Sequence, residues 1–167
     1  MPKRPIRIDG DLAYVPLTQG YEALIDAADV ALVAGRNWTA HVRQHTVYAK
    51  GTSVVNGRRV VIYMHRVIVG APVEMSVDHC DSNGLNNRKC NLRLATHAQN
   101  MRNRRPTKGL SSPLKGVRLH KRTGQWRASI TLERKVYHLG LFDTEADAHA
   151  AYADASRVMH GTFGRTN

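Results

Sequence analysis

The sequence predicts an α+β fold: a β-rich N-terminal region that leads into a strand, loop, strand and helix, then a linker, then a three-stranded antiparallel sheet with one helix. Short apolar and β-branched runs separated by turn residues indicate the strands, and an alanine-rich stretch near the end of the chain indicates the last helix. Residues 106–113 have the composition of a linker. We therefore divide the chain into residues 1–105, a linker at 106–114 and a domain at 115–167.

Turn and cap residues delimit the elements of the first part. Asn56-Gly57 predicts a hairpin, because both central residues of a type I′ turn need positive φ. Gly70 and Pro72 end a short helix, and Thr96 is the predicted N-cap of a later one, which Pro106 stops. The predicted strands are 12–17, 21–25, 47–55, 60–64, 75–79 and 92–95, and the predicted helices are 27–35, 64–72 and 97–105.

The charge of the chain points to a polyanionic partner. Its 167 residues include 25 Lys and Arg against 13 Asp and Glu, yet 42% of the residues are hydrophobic, which excludes a disordered polycation. Residues 1–57 carry six basic and five acidic side chains, residues 58–105 nine and three, and residues 106–167 ten and five. The last two-thirds of the chain is therefore expected to neutralise phosphates.

Several other classes of protein are disfavoured. The longest apolar run, residues 60–64, is too short for a membrane span, and no signal peptide follows Met1. An anionic membrane would attract the same charge, but no basic amphipathic helix is apparent. Cys80 and Cys90 cannot form a disulfide framework or a four-thiolate zinc site, so we expect reduced, partly buried thiols and no zinc. A cytoplasmic, nucleoid-associated protein is the expectation.

Three polar positions in residues 75–105 have a joint chemical interpretation. Asp78-His79 ends one predicted strand, Asn91 precedes the next, and Asn100 lies one turn inside the helix. If the helix folds across the hairpin, Asp78 and Asn100 can bind one Mg²⁺ ion through oxygen and leave room for water and phosphate. His79 can then take a proton from water. Together these groups predict metal-assisted hydrolysis of a phosphodiester bond.

The segment 64–105 resembles the HNH nucleases with the ββα-metal fold, in the branch of phage and homing endonucleases. The residues that carry the resemblance are Met64-His65-Arg66, Val77-Asp78-His79, Asn86-Asn87-Arg88, Asn91-Leu92-Arg93 and Thr96 to Asn103. The resemblance implies that His79 is the general base and that Asn91 is the catalytic-site residue that braces the metal loop and orients the histidine. It implies Asp78 and Asn100 as ligands of Mg²⁺, with Mn²⁺ as another cation that the site would accept.

Neighbouring residues have simpler interpretations. The third position of the motif is Asn100 and not histidine, which leaves His97, a turn away, as the other candidate ligand. His65 follows an apolar strand and is expected to be a packed core residue. Arg93 is a candidate phosphate contact, with Arg102, Arg104 and Arg105 as further ones or as a solvated face. Simple turn roles are expected for the remaining loop residues Asp81, Asn83, Asn86 and Asn87.

The C-terminal part has the pattern of a small sheet with one polar face. Strands are predicted at 116–121, 125–132 and 136–141, and a helix at 144–159. Alternation directs Val117, Leu119, Trp126, Ala128 and Ile130 towards the helix, with Trp126 as a core aromatic. The residues left on the open face are Arg118, His120, Arg122, Arg127, Ser129, Thr131 and His138.

This part resembles the Apetala-type DNA-binding domain of plant ethylene-response factors. The resemblance rests on Lys115 to Arg118, Gly124 to Ile130, Leu139 to Thr144, Ala148 to Tyr152 and His160-Gly161. It implies that the sheet enters the major groove of double-stranded DNA, with Arg118, His120, Ser129, Thr131, Val136 and His138 at contact positions. In the plant domains a tryptophan precedes the glycine at the start of the second strand. This chain has Thr123 at that position, before Gly124, so we do not expect it to share the base specificity of the plant domains.

The sequence therefore predicts a metal-dependent endonuclease of phage or mobile-element type that acts on double-stranded DNA and reads it with a C-terminal domain. By the resemblance, cleavage leaves 5′-phosphate and 3′-hydroxyl ends. The alternative is a DNA-binding regulator with a relic nuclease core. The retention of Asp78, His79, Asn91 and Asn100 argues against it.

Overall fold

The computed structural model of the chain describes residues 4–103, 110–164 and 166. The chain forms two compact units, residues 1–97 and 98–167, so the division falls eight residues before the end of the predicted first part. The helix that follows this division belongs with the second unit, where the Lys115 ammonium group donates a hydrogen bond to the carbonyl of Arg102. Most of the predicted linker, including Pro106, and the candidates Arg104 and Arg105 lie outside the described residues.

The first unit contains three antiparallel sheets. Strands β1 to β3 form one sheet, β4 to β6 a second, and β7 and β8 a hairpin. Their bounds are β1 Arg7–Asp9, β2 Leu12–Pro16, β3 Glu22–Asp26, β4 Thr39–Val42, β5 Val47–Val55, β6 Arg58–Tyr63, β7 Ser76–His79 and β8 Leu92–Ala95. Two short helices, α1 Val30–Val33 and α2 Met64–Val69, complete the unit.

A single apolar core holds the first unit together. Alternate residues of β2 and β3 are buried, as expected for strands with one face on a core. Trp38 is 1% exposed, and its indole nitrogen donates a hydrogen bond to the carbonyl of Val33. A β-carbon at Gly51 would lie 3.1 Å from the Trp38 ring, so this glycine lets β5 pack closely on the indole. One face of the sheet β4–β5–β6 therefore packs on this core.

The local signals in the sequence predict this unit well. Asn56 and Gly57 have φ values of 50° and 74°, which confirms the type I′ hairpin between β5 and β6. Gly70 ends α2 in the left-handed conformation, as predicted. Two strands were not predicted: β1, whose three residues are all exposed, and β4, which has two exposed residues out of four.

The second unit has the predicted order of elements. Its bounds are α3 His97–Asn103, which begins at the last residue of the first unit, β9 Val117–His120, β10 Gln125–Leu132, β11 Lys135–Phe142 and α4 Glu145–His160. The strands form an antiparallel sheet with β10 in the centre. The Thr144 hydroxyl accepts a hydrogen bond from the amide of Asp147 and so caps α4.

The core of the second unit lies between the sheet and α4. Val117, Ala128 and Ala148 are buried there, and Trp126 packs against them as predicted. Leu119 was expected on the same face, but it is 39% exposed and lies outside this cluster, because β9 is an edge strand. Among the described residues of the whole chain, none of the helices is long and apolar enough to cross a membrane.

Candidate functional site

The hairpin of β7 and β8 carries the first two candidate residues. Asp78 and His79 are the last residues of β7, and successive side chains of a strand point to opposite faces. Asp78 is opposite Arg93 in the register, and His79 is opposite Leu92. Both candidate side chains belong to residues that are only 5% exposed. Buried polar groups of this kind need partners, and the two have different ones.

Asp78 is paired with Arg93. The Nε and Nη2 atoms of Arg93 donate to the same carboxylate oxygen at 2.8 and 2.6 Å. The pair is largely excluded from solvent, with side-chain exposures of 6% for Asp78 and 20% for Arg93. Arg93 was predicted to contact phosphate; in this structure its guanidinium neutralises the carboxylate, and the contact to DNA stays a prediction.

His79 is held by Asn87. Its Nε2 atom lies 3.3 Å from Oδ1 of Asn87, which is 0% exposed. The amide nitrogen of Asn87 donates to the carbonyl of Leu85, so its oxygen faces the histidine. Because an amide oxygen only accepts, Nε2 carries the hydrogen, and the basic lone pair of the neutral imidazole is on Nδ1.

The surroundings of His79 keep it neutral. Burial lowers the pKa of His79, and it outweighs the Asn87 hydrogen bond and the negative charges of Asp81 and Asp78, which act in the opposite direction. The imidazole ring also contacts Tyr48, with ring centroids 5.8 Å apart. At neutral pH the side chain is therefore in the form that accepts a proton.

His65 is a packed residue, as predicted. It is buried, its ring stacks on Tyr63 at 5.5 Å, and its edge contacts the His79 ring at 5.1 Å. Burial, followed by the positive charge that His79 and Arg66 can present, lowers the pKa of His65 to about 3. The His65 side chain is therefore uncharged at neutral pH and packs against the ring of His79.

Asn91 braces the loop between the two strands. Its side-chain oxygen accepts from the amide of Asp81, and its nitrogen donates to the Asp81 carboxylate at 2.9 Å and to the Asn86 carbonyl at 2.8 Å. The loop-bracing role implied by the family resemblance agrees with these bonds. The structure adds Asn87, which had been given only a turn role, as a hydrogen-bond partner of His79, and the role of Asn91 in orienting the histidine stays a prediction.

Hydrogen bonds within the loop also hold Asp81. Burial is the largest single influence and would raise its pKa, but hydrogen bonds from the Asn83 amide, Asn86 and Asn91 together outweigh it and lower the pKa. The predicted turn roles of Asp81 and Asn83 are confirmed, because each accepts a hydrogen bond from the amide two residues later.

The loop is also fastened to the N-terminal sheet. The backbone of Leu24 in β3 exchanges hydrogen bonds with Leu85 and Asn87 at 2.8 and 2.7 Å. Next to them, Arg88 Nε donates to Asp26 at 2.8 Å, and the Lys89 ammonium group binds the buried Asp29. These contacts join residues about 60 positions apart in the chain, and nothing in the local sequence indicates them.

Cys80 and Cys90 flank the loop. Both are unbonded thiols that are exposed, so the expectation that they are partly buried was wrong. They are the residues next to His79 and Asn91 in the chain, and the backbone of Cys80 pairs with the carbonyl of Asn91. The backbone pairing closes the end of the hairpin and leaves the thiols at the surface.

Asn100 and His97 lie on α3. The division between the compact units falls between these residues, so Asn100 belongs to the second unit and Asp78 to the first. Their convergence on one cation stays a prediction. Within the described ranges no three His, Cys, Asp or Glu side chains form a metal cluster. A carboxylate and an amide oxygen are nevertheless the donor type that hard divalent cations take.

The open face of the sheet in the second unit, β9 to β11, carries the predicted DNA-binding residues. In the register Arg118 is opposite Arg127, Ser129 opposite His138, and Thr131 opposite Val136, so these side chains share one face. His120 belongs to the same face, and its Nδ1 lies 2.8 Å from the Thr123 hydroxyl. Arg122 lies in the turn between β9 and β10. The residues of this group that are exposed are Arg118, Arg122, Thr131, Val136 and His138.

Comparison with known proteins gives the class of the segment that carries the candidate site. The HNH endonuclease family matches residues 60–102. Protein 3.8 of Escherichia phage T7 is 35% identical over 89 residues, 53% of this chain and 73% of the phage protein. The uncharacterized HNH endonuclease L560 of Acanthamoeba polyphaga mimivirus is 35% identical over 96 residues, 58% of this chain and 49% of that protein. No solved structure matches the chain significantly.

A buried, neutral histidine beside a carboxylate, on a hairpin with a braced asparagine loop, fits a hydrolytic nuclease site. The chain belongs to the HNH endonuclease family. It is accordingly a DNA endonuclease, and enzymes of this family generally depend on a divalent metal ion.

Proposed function

We propose that this chain is a Mg²⁺-dependent endonuclease that hydrolyses double-stranded DNA, with His79 as general base. The observation that carries the proposal is the buried pair of His79 and Asn87 next to the buried pair of Asp78 and Arg93. One pair supplies a neutral imidazole with a fixed orientation. The other supplies a carboxylate whose charge is held in place.

In this mechanism, Nδ1 of His79 takes the proton of the attacking water while Asn87 holds Nε2. Asp78 and Asn100 would hold the cation, with His97 as the other candidate in place of Asn100. A bound divalent cation supplies charge stabilisation for the phosphate and the leaving 3′ oxygen. Asn91 keeps the loop closed through Asp81, so that the end of β7 does not move as charge develops.

The proposal is tested with supercoiled plasmid and the full chain. With Mg²⁺, nicked or linear DNA with 5′-phosphate ends is expected, and excess chelator should abolish the reaction. Mn²⁺ should restore it after dialysis, since both cations take oxygen ligands. Cleavage that persists in chelator, or that is absent with either cation, contradicts the proposal and favours a DNA-binding regulator with an inactive core.

Asn87→Ala should lower kcat by about 10- to 100-fold with little change in KM, the range found when hydrogen-bond partners of functional histidines are lost. The expected reason is a misoriented His79 imidazole and not weaker binding of DNA. Single-turnover cleavage at saturating DNA measures the effect. Asn83→Ala is the matched control, because Asn83 makes only exposed hydrogen bonds in the same loop. Equal losses in the two variants would mean that Asn87 acts through the loop fold.

We also propose that the second unit reads DNA through the open face of its sheet. The family resemblance and the shared face of Arg118, Arg127 and His138 support this. A sheet face with arginine fits the major groove, where arginine contacts guanine edges. The similarity to phage and viral proteins further supports a phage or mobile-element origin and a homing-type role.

Arg118→Ala should change the ranking of preferred sites, because a bidentate contact to guanine is worth about 1–3 kcal/mol of discrimination. Selection on randomised duplex at one fixed salt concentration measures this. Arg157→Ala is the control, since Arg157 is exposed on α4 and paired with Asp154. An unchanged ranking with uniformly weaker binding would make Arg118 a phosphate contact and pass the reading role to Arg122 or Arg127.

A further inference from the structure

In the sheet formed by β4, β5 and β6, strands β5 and β6 extend beyond β4 as a two-stranded ribbon. Strand β4 pairs only with residues 47–50 of β5, whereas β6 pairs with β5 from Lys50 to Val55. Residues 51–55 and 58–62 therefore form a ribbon closed by the Asn56-Gly57 turn. At about 3.4 Å per residue the ribbon is roughly 17 Å long, and the major groove of DNA admits a two-stranded ribbon.

The two faces of this ribbon differ. One face turns to the core, with Gly51 on the Trp38 ring and Ile62 packed against the core cluster. The register places Thr52 opposite Val61 and Val54 opposite Arg59 on the other face. We call these four residues the ribbon face. All four are exposed, Val54 by 66% and Val61 by 53%.

The ribbon face continues directly to the candidate site. Lys50 and Tyr63 follow it on the same side of the sheet, and Tyr48 is the next residue of β5 on that side. The Tyr48 ring contacts the ring of His79, and the Tyr63 ring stacks on His65. A strand of DNA lying along this side of the sheet would therefore lead to His79.

The charge on this side fits a polyanion. Residues 30–73 contain no Asp or Glu, and of their six Lys and Arg residues Lys50 and Arg59 lie on this side of the sheet, whereas Arg58 lies on the other. The acidic residues Asp26 and Asp29, which precede this stretch, are engaged with Arg88 and Lys89. Partial burial, together with the positive charges of Arg43 and Lys50, lowers the pKa of His41 on the same side of the sheet. Residues 1–57 as a whole carry nearly equal numbers of basic and acidic side chains, so a count over that range does not reveal the segment without acidic residues.

We propose that the ribbon face binds the major groove of the duplex substrate, with Arg59 and Lys50 on phosphates and Val54 and Val61 against apolar edges such as thymine methyl groups. The proposal rests on the proposed function, and it adds a DNA contact in the first unit that is separate from the open face of the second unit. Its role is to bring the duplex onto the side of the sheet that ends at His79.

The test uses two neighbouring arginines on opposite faces of one strand. Arg59→Gln and Arg58→Gln are each made in the full chain carrying His79→Ala, and binding to duplex DNA is measured from 50 to 300 mM salt in chelator. Arg59→Gln should lower the salt slope by about 1 and the affinity by about an order of magnitude at 0.1 M salt, the effect of one lost phosphate contact. Arg58→Gln should change neither quantity.

A second pair of variants introduces a negative charge, whereas the first pair removes a positive one. Val54→Glu on the ribbon face should weaken binding more than tenfold, while Val55→Glu, exposed on the opposite face, should bind like the parent. Equal behaviour within both pairs, or no duplex binding by the parent, overturns the proposal. Because binding is measured without catalysis, a failure of plasmid cleavage by the wild type would reject the nuclease mechanism and leave this result standing.

The exposed valines could instead belong to an interface between two copies of the chain. Sedimentation of the wild type without DNA, at the concentrations of the binding assay, distinguishes the two. A monomer that Val54→Glu leaves unchanged supports the DNA surface. A dimer that Val54→Glu dissociates overturns it.

Discussion

Replacing His79 with alanine is expected to lower the rate of DNA cleavage by about 10² to 10⁴, the usual contribution of a general base. The affinity for duplex should remain within about twofold, since His79 is buried against Asn87 and Tyr48 and is not on an exposed basic face. Single-turnover rates at saturating DNA, together with direct binding measurements, separate the two quantities.

His138→Ala is the matched control for His79→Ala. His138 is exposed on the sheet of the second unit, so its loss should weaken binding with no effect on the rate at saturation. A His79→Ala enzyme that retains more than half of the wild-type rate would exclude the histidine as the base. A metal titration of His97→Ala is a separate test, because His97 is the other candidate ligand in place of Asn100.

Arg93→Ala is expected to destabilise the first unit by about 3–5 kcal/mol, because it leaves the buried Asp78 carboxylate without its counter-ion. Unfolding in urea, followed by the fluorescence of Trp38 in a Trp126→Phe background, reports on this unit alone. Trp38 lies in the core of the first unit and Trp126 in that of the second.

Arg88→Ala provides the comparison, since Arg88 also pairs with an aspartate, but its side chain is 37% exposed and that of Asp26 is 25% exposed. Exposed pairs are worth about 0–1 kcal/mol, so its cost should be much smaller. If the two variants lose the same stability, the buried Asp78 carboxylate does not depend on Arg93 as its counter-ion. Added Mg²⁺ should restore part of the stability of Arg93→Ala, because a cation bound to Asp78 stabilises the folded state by mass action.

The elements were predictable where the signal is local. The Asn56-Gly57 turn and the end of α2 at Gly70 each depend on a few adjacent residues, and both were predicted correctly. Asp78, His79 and Asn91 were chosen as candidates because they lie at the ends of two predicted strands that form one hairpin. The strands β1 and β4 were missed because each has only three or four residues and none of them is buried, so neither shows an apolar alternation.

The partners of the candidate residues were harder to predict. Asn87 looked like a turn residue, and only the folded loop brings its oxygen to His79. Arg93 looked like a surface cation, and the cross-strand register places it on Asp78. Both assignments depend on which strands pair and how the loop closes. Composition and spacing do not contain that information.

The attachment of the asparagine-rich loop to Leu24, Asp26 and Asp29 limits how this nuclease can be shortened or recombined. The family match begins at residue 60, yet the backbone partners that shape the loop lie before residue 30. A chimaeric enzyme that transplants only residues 60–102 onto another scaffold would carry the histidine and the aspartate without the framework that aligns them. A transferable cutting module from this chain must therefore begin before Glu22 and include β3 as part of its design.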